Sequence, residues 1–331
     1  MTRATQADVA EMAGVSRQLV SLVVRDDPRV SPQRRSLVLA AMEQLGYRPN
    51  AAARTLATSR TDMIGVVVPG FQNPFYGELA EAMRARGESV GLDPLIVSVG
   101  EDPDREVQAV ERFLELNVDA LILVSPLMDE KRMEAYGEAV PTVLVTRNEG
   151  PASVDLIHHD DIQVGEMTTE HLLDRGYSPI VFLGPRRSVH GDSSQYRLHG
   201  YEAALARVGQ DPITAIVGDD DDVERVVTEI ASRFTSGFGI VAHDDRLAIP
   251  AAATLRLQDL RPGRDIGVTG VDNTHWAALP GVEITSVDQD LQGMTAMAFD
   301  LIAERIKGRT RAKEIVLPPT LVERSSSAPR A

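Results

Sequence analysis

The stretch that decides the fold of the N-terminal region covers residues 7–24 and reads ADVAEMAGVSRQLVSLVV. Thr5 and Asp8 have the spacing of a capping box, which predicts a helix that begins at the residue after Thr5. Gly14 can take the positive φ that ends a helix, and Ser16 can cap a second helix. The segment LVSLVV is apolar enough for a strand, but a strand would follow the first helix with no room to pair. The pattern therefore predicts a helix-turn-helix.

The second helix of this motif carries polar side chains at its N-terminal end. Arg17 can pair with guanine and Gln18 with adenine in the major groove of DNA. Ser16 and Ser21 suit contacts with phosphate oxygens. The alternative is that Arg17 and Gln18 are ordinary solvated residues of a first helical turn.

The distribution of charge bears on this choice. The 331-residue chain has a net charge of −15, which by itself argues against nucleic acid as a partner. Residues 1–60 nevertheless contain nine arginines and five acidic residues, a net charge of +4, and the rest of the chain carries −19. A small basic head on an acidic body indicates that the head alone approaches phosphates.

Composition also limits the compartment and the chemistry. The chain has no cysteine, which excludes a disulfide scaffold and thiolate chemistry and fits a reducing cytoplasm. Its first residues lack the apolar core of a signal peptide. No apolar run approaches ~18 residues, so we expect no membrane-spanning helix and no membrane partner. We therefore expect a cytoplasmic protein.

A third helix and a short basic segment complete the head. Ser31 is the expected cap of this helix, Pro32 its first residue and Gly46 its end. Its expected core face consists of Leu37, Val38, Ala41, Met42 and Leu45. Residues 47–61 then read YRPNAAARTLATSRT, in which Asn50 can cap a short helix over 51–57. An isolated helix of this length is marginal in water, so we expect it to fold only when it is docked against a partner.

From Met63 onward, short apolar runs alternate with helical stretches. The runs MIGVVVP, PLIVSV, ALILV and TVLV precede residue 160, and PIVFLG, ITAIVG, FGIVA and DIGVTGVD follow it. Buried apolar strands that alternate with helices predict parallel sheets covered on both faces. Two such series in tandem predict an all-α helix-turn-helix head followed by an α/β core of two lobes, each a doubly wound parallel sheet.

The head and the core together resemble the LacI family of bacterial repressors. The match runs through Ala10, Gly14, Val15, Ser16, Val20, Ser21, Leu45-Gly46-Tyr47, Pro49-Asn50, Ala53 and Leu56. The resemblance implies a periplasmic-binding-protein-like core with a ligand between its lobes. It also implies a hinge helix over 50–57 that pairs with its dimer mate in the minor groove. Leu56 would then wedge a central base step, although Leu56 could instead be a core leucine beneath the linker.

The resemblance also implies the division of the chain. The head would cover 1–48, the hinge helix and linker 49–60, and the core, which binds the effector and forms the dimer, 61–331. The first lobe would hold about 61–160 and 290–318, and the second about 161–289 and 319–331, with crossings near 159–162, 287–290 and 318–321. No heptad repeat for a tetramerising coiled coil follows, so we expect a homodimer.

The head residues expected to contact DNA come from the motif and from the resemblance. They are Thr5, Ser16, Arg17, Gln18, Ser21, Arg25, Ser31, Tyr47, Asn50, Ala53, Arg54 and Leu56. Two positions depart from the family pattern. Leu22 stands where many members have a polar base-reading residue, and Arg25 stands where they usually have Asn. Leu22 could contact a thymine methyl group or simply pack.

Candidate effector-binding residues lie where strands end. Arg197 and Asp272 match the pocket arginine and the hydroxyl acceptor of the family, and His243 replaces a more common Asn. Phe75 and Tyr76 can supply an apolar platform, and Thr146 and Gln289 are weaker candidates. Each has a structural alternative: Asp272 could cap a loop, and Arg197 could form an ion pair between the lobes.

Several stretches invite enzymatic or metal-binding interpretations. Residues 237–242 fit G-x-G-x-x-A, but these glycines precede an apolar run, whereas a dinucleotide site needs them after a strand. The acidic and histidine runs at 158–161 and 218–222 are more typical of solvated loops or helix caps than of metal ligands. The sequence contains no G-x-S-x-G elbow and no phosphate-binding loop. We therefore expect no catalytic residue, no metal and no cofactor.

The resulting hypothesis is a dimeric transcriptional repressor that binds a pseudo-palindromic double-stranded operator. A small molecule, favoured to be sugar-like, would bind between the lobes and control operator affinity allosterically. The sequence leaves open whether it weakens DNA binding as an inducer or strengthens it as a corepressor, and the resemblance favours induction. The alternatives are a periplasmic solute-binding protein, which would require a signal peptide, and a doubly wound enzyme, which would require a catalytic or cofactor motif.

Overall fold

A computed structural model of the chain describes residues 4–24, 27–47, 60–186, 191–218 and 223–329. The chain divides into two compact units, Met1–Thr61 and Asp62–Ala331. The described part of the first unit forms the helices α1 (Gln6–Ala13), α2 (Arg17–Val24) and α3 (Pro32–Gln44). The segment LVSLVV is helical, as the sequence predicts.

Local hydrogen bonds explain why α1 and α2 meet at a sharp turn. Thr5 and Asp8 form a capping box, in which the Thr5 N–H donates to the Asp8 carboxylate at 2.7 Å. Gly14 ends α1 in the left-handed region with φ of +65°. The Leu19 N–H donates to Ser16 Oγ at 3.2 Å at the start of α2. The helix-turn-helix prediction is confirmed.

Two details of the head differ from the predictions. The Ser31 hydroxyl accepts no capping hydrogen bond, although Ser31 directly precedes α3. Its backbone carbonyl accepts the Arg35 N–H at 3.0 Å instead, and Pro32 sets the first turn. Leu37, expected on the core face of α3, is exposed because a cluster of three short helices covers only a narrow stripe around the buried Val9 and Val38.

The second unit consists of two lobes. The first lobe begins with β1 (Met63–Val68), α4 (Pro74–Val90), β2 (Asp93–Ser98), α5 (Pro103–Glu115), β3 (Ala120–Val124), α6 (Glu130–Ala139), β4 (Thr142–Val145) and β5 (Asp155–His159). The second lobe then holds α7 (Asp161–Asp174), β6 (Ile180–Pro185), α8 (Ser193–Arg207), β7 (Ile213–Val217), α9 (Val223–Arg233), β8 (Gly239–Ala242), α10 (Asp245–Leu257), β9 (Gly267–Val271) and β10 (Thr285–Asp288).

The chain returns to the first lobe through α11 (Leu291–Ile306) and β11 (Glu314–Leu317). It ends in the second lobe with β12 (Thr320–Val322) and one 3₁₀ turn, Ser325–Ser327. Among the described residues, the strand order is β11-β5-β4-β3-β1-β2 in the first sheet and β12-β10-β9-β8-β6-β7 in the second. The pairings are parallel, which confirms the predicted doubly wound parallel sheets, except that the short β12 runs antiparallel to β10.

Each sheet is covered on both faces, which explains its continuous apolar strands. In the first lobe, Leu79 of α4 and Phe299 of α11 belong to the cluster on one face, and Val110 of α5 to that on the other. In the second lobe, α9 and α10 cover one face, while α7 and α8 carry residues of the opposite cluster. The carboxyl ends of the strands in both sheets are therefore left to form a cleft.

Candidate functional site

The head places its predicted reading residues on an accessible surface. Ser16, Arg17 and Gln18 are exposed at the N-terminal end of α2, and Ser21 is half-buried one turn later. The Thr5 hydroxyl, by contrast, is engaged in the capping box with Asp8. Ser31 is exposed and Tyr47 half-buried. The remaining head residues expected on DNA, namely Arg25, Asn50, Ala53, Arg54 and Leu56, lie outside the described residues.

An open groove on this surface runs between α2 and α3. Gln18 and the half-buried Leu22 line it from α2, and Arg34 and Leu37 line it from α3. Leu22 therefore packs against the head and also faces the groove. This position is compatible with either predicted role, contact with a thymine methyl group or packing alone. Arg34 was missed in the sequence analysis. The available signal was an exposed arginine on the polar face of α3, next to the core positions used to place that helix.

In the core, one cavity brings together all seven candidate effector residues. Phe75, Tyr76, Thr146, Arg197, His243, Asp272 and Gln289 line it, and Asn73, Ser125, Ser193 and Asp244 complete its wall. These residues converge because they follow the carboxyl ends of strands or lie on helices that pack beside them. The cavity has a volume of about 20 Å³, roughly the space of one water molecule.

Arg197 on α8 is almost fully buried. Its Nε donates to Asp161 Oδ1 at 2.7 Å, and its Nη1 donates to the carbonyl of His243 at 2.7 Å. No described residue accepts a hydrogen bond from Nη2. Burial opposes the charge of Arg197, but Asp161 and Asp272 outweigh it and raise the pKa of the guanidinium. Arg197 is therefore a positively charged side chain fixed by two hydrogen bonds, and its Nη2 remains available to donate to a ligand.

Two glycines fix the helices that carry this ion pair. A Cβ at Gly165 of α7 would lie 2.0 Å from the carbonyl oxygen of Arg197, and one at Gly200 of α8 would lie 2.0 Å from that of Ile162. The two backbones therefore touch, and only glycine fits at either position. This close approach sets Asp161, at the start of α7, against Arg197.

Asp272 supplies hydrogen-bond acceptors on the same cavity, whereas Arg197 supplies donors. Its Oδ2 accepts the Asn73 amide at 3.1 Å, and its Oδ1 accepts the Gln289 amide. Burial, together with the charges of Asp244 and Asp245, raises the pKa of Asp272 well above its usual range. Its backbone φ of +103° is strained for a residue with a side chain, a feature that clusters at binding sites. Asn73 belongs to the first lobe and Asp272 to the second, so this contact crosses the cleft.

Hydroxyl and imidazole groups form the rest of the wall. The Tyr76 hydroxyl donates to Ser125 Oγ at 3.3 Å, and Ser125 Oγ lies 2.5 Å from Thr146 Oγ1. Burial raises the pKa of Tyr76, so this hydroxyl is neutral. Burial lowers the pKa of His243 well below its usual range, with Arg197 adding to the effect, and its Nδ1 has no partner in the described part of the chain.

The histidines of the run 158–161, which we did not expect to bind a metal, lie at the crossing between the lobes. His158 Nε2 is 3.0 Å from Glu314 Oε1. His159 is 1% exposed, and neither of its ring nitrogens has a partner among the described residues. Burial lowers the pKa of His159 from its ordinary 6.5 to about 4. In the described ranges, no three His, Asp or Glu residues are arranged to hold a metal ion.

One further sequence interpretation is settled by the fold. The glycines of the G-x-G-x-x-A match do not open a helix, because residues Gly239–Ala242 are β8 itself, so the match is accidental. Residues 219–222 of the acidic run lie outside the described residues. None of the described helices has the length and apolar character needed to cross a membrane.

Comparisons with known proteins agree with this architecture. Residues 5–50 match the family model of bacterial regulatory proteins, lacI family, and residues 169–327 match that of the periplasmic binding protein-like domain. The chain is 30% identical over 336 aligned positions to the HTH-type transcriptional regulator DegA of Bacillus subtilis, with 99% of both chains covered. It is 28% identical to the ribose operon repressor of Escherichia coli, covering 98% of this chain and all of that one.

Solved structures give the same result. A crystal structure of the Lac repressor dimer bound to operator and the anti-inducer ONPF has a TM-score of 0.84 at 25% identity, covering 99% of this chain and all of that chain. A complex of the transcriptional regulator CelR with cellobiose has a TM-score of 0.69 at 26% identity, covering 98% of this chain and all of that chain. This chain belongs to the LacI family of bacterial regulatory proteins and is a DNA-binding transcriptional regulator with a periplasmic-binding-protein-like core.

Proposed function

We propose that this regulator is a repressor whose affinity for its operator is controlled by a polyhydroxylated, sugar-like molecule in the cleft. The observation that carries the proposal is the pairing of Arg197 and Asp272 on one cavity. One side chain offers hydrogen-bond donors and the other offers acceptors. Neighbouring hydroxyl groups can satisfy both, because each hydroxyl accepts one hydrogen bond and donates another.

The other wall residues suit the same ligand class. Tyr76, Ser125 and Thr146 add hydroxyl groups, and His243 adds a neutral imidazole. Phe75 adds the apolar surface that the less polar face of a sugar ring can cover. Gln289 already contacts Asp272 and can turn to a ligand. The relatives support this class, since one is named as a ribose operon repressor and another was solved with cellobiose.

The size of the cavity links ligand entry to lobe movement. A space of about 20 Å³ is too small for a sugar in this lobe arrangement, so we expect the lobes to separate before one enters. A ligand that contacts both lobes then favours one lobe arrangement. Coupling between such a site and a second site is typically ~1–3 kcal/mol and is reciprocal. The second site is the DNA-binding head.

In the proposed mechanism, the α2 helices of a homodimer read two half-sites of a pseudo-palindromic operator. Gln18 and Arg17 contact bases, and Ser16, Ser21 and Ser31 contact phosphates. Thr5, Arg25, Tyr47, Asn50, Ala53 and Arg54 complete the DNA contacts, and Leu56 acts as the minor-groove wedge. Ligand binding favours a spacing of the first lobes that disfavours the hinge helices, so the ligand acts as an inducer. Such a repressor acts in the cytoplasm.

The test begins with duplex selection from a randomised library, followed by a thermal-shift screen of sugars and polyols that includes D-ribose and cellobiose. A ligand of the folded core raises its melting temperature. That ligand should weaken binding to the selected duplex at least fivefold in a gel-shift titration. Asp272→Asn, which replaces one carboxyl oxygen by an amide NH2 group at nearly the same size, is the matched control and should bind the duplex normally without responding. Absence of any duplex preference at moderate salt would refute the proposal.

A further inference from the structure

One side of the cleft is held closed by a set of contacts that we call the clasp, formed by residues 147–149 of the first lobe and 191–196 of the second. Arg147 and Asp192 form an isolated antiparallel bridge. The Asn148 N–H donates to the carbonyl of Gly191 at 3.0 Å. The Tyr196 hydroxyl donates to the Glu149 carboxylate. The clasp therefore joins the loop after β4 to the beginning of α8, the helix that carries Arg197.

Asp161 connects the clasp to the ligand cavity. Its Oδ1 accepts Arg197 Nε at 2.7 Å, and its Oδ2 accepts the side-chain amide of Asn148 at 2.7 Å. The Asp161 side chain is only 3% exposed, so water cannot easily replace either donor. Asp161 and Asn148 are absent from the cavity wall. A continuous chain of hydrogen bonds therefore runs from Arg197, in the cavity, to the first lobe.

We propose that Asp161 is a positioning residue that couples the orientation of Arg197 to closure of the clasp. When the lobes are together, Asn148 and Arg197 hold the two carboxylate oxygens, and the guanidinium keeps the orientation described above. When the lobes separate, Oδ2 loses its donor and the carboxylate can turn. A ligand on Arg197 and a closed clasp then stabilise each other. This inference rests on the proposed function only in taking Arg197 as the ligand contact.

The experiment measures native-state hydrogen exchange of the full chain without ligand or DNA. The reporter is the backbone amide at position 148, because its hydrogen bond crosses the cleft and breaks when the clasp opens. Asn148→Ala keeps this amide and removes only the side-chain bond to Asp161. The exchange rate, corrected for intrinsic chemistry, should rise about tenfold, as expected for loss of a hydrogen bond to a charged group. A change below twofold would overturn the proposal.

A double-mutant cycle separates positioning from simple stabilisation. In an Arg197→Gln background, the effect of Asn148→Ala should shrink to below threefold, because Asp161 is no longer fixed at its other oxygen. Tyr196→Phe removes a clasp contact that does not involve Asp161, so its effect should be equal in both backgrounds. Arg197→Lys, which keeps the buried charge, serves as a second background if Arg197→Gln does not fold. An unchanged tenfold effect of Asn148→Ala in these backgrounds would refute the coupling.

The exchanged pair Asn148→Asp with Asp161→Asn gives an independent check. It restores a carboxylate–amide bond between the two positions with the roles reversed. The exchange rate at position 148 should return to within threefold of the parent. A rate as fast as that of Asn148→Ala would count against the proposal. Because neither sugar nor DNA is present, these results stand whether or not the proposed ligand class is correct.

Discussion

Replacing Arg197 by Ala provides a quantitative test of how the cavity is held. The side chains of Arg197 and Asp161 are 5% and 3% exposed, so the substitution leaves a carboxylate buried without its cation. Removal of one partner from a buried pair typically costs ~3–5 kcal/mol. Asp161 keeps the Asn148 amide as a donor, which places the expected loss near the lower end, about 3 kcal/mol.

The measurement is scanning calorimetry of the core transition. For a domain of this size, 1 kcal/mol corresponds to roughly 2 °C, so Arg197→Ala should lower the melting temperature by roughly 6 °C. The double variant Arg197→Ala with Asp161→Asn removes the stranded charge and should recover most of this loss. We also expect the single variant to keep its affinity for a selected duplex while losing its response to a sugar ligand. A loss below 1 kcal/mol, or no recovery in the double variant, would show that Arg197 and Asp161 do not form a stabilising buried pair.

Three further predictions address reading, pH and packing. Gln18→Ala should cost ~1–3 kcal/mol at one base pair per half-site and relax the preference there, as measured by binding to single-base operator variants; an unchanged preference would remove Gln18 from the reading surface. His159 has a folded-state pKa of about 4, below its ordinary 6.5, so unfolding binds a proton in this range and stability falls as pH drops from 6.5 toward 4. His159 should contribute about 1.4 kcal/mol per pH unit to this change in the free energy of unfolding. Urea denaturation of His159→Phe should lack that contribution. The same pH dependence in the parent and in His159→Phe would show that His159 is not responsible. Gly200→Ala should destabilise the core by several kcal/mol because its methyl group would meet the Ile162 carbonyl at 2.0 Å, whereas Ala substitution at Gly77, where no atom lies within 4 Å of an added Cβ, should not; equal melting temperatures would contradict the helix contact.

The parts of the molecule that could be predicted from sequence depend on local signals. The turn between α1 and α2 follows from a capping box and one glycine, all within ten residues. The seven cavity residues could be listed because parallel strands end at the same edge of a sheet, and the family resemblance selected among them. Their grouping at one site could therefore be predicted without knowledge of any side-chain contact.

The parts that could not be predicted depend on contacts between distant segments. Strand β5 has the mixed sequence DLIHH, which lacks the apolar run that marked β1 to β4, and its histidines were interpreted as part of a solvated loop or helix cap although they are buried. Strand β12 has three residues, and its antiparallel direction follows from a return crossing. Asp161 is the last residue of the run 158–161. The sequence around it does not indicate that Asn148 and Arg197 each donate to one of its two carboxylate oxygens. At Ser31 the local signal was misleading instead: the sequence predicts a side-chain cap, but the Ser31 hydroxyl accepts no hydrogen bond from the first turn of α3.

In the proposed function, a molecule in the core cleft changes how tightly the head holds DNA. The most direct measurement is the fluorescence anisotropy of a selected, labelled duplex titrated with the full chain, with and without a saturating ligand from the thermal-shift screen. We expect a dissociation constant that rises at least fivefold with ligand, and no such change in Asp272→Asn. If a ligand stabilises the core but leaves the dissociation constant for the duplex unchanged, the cleft does not control DNA binding.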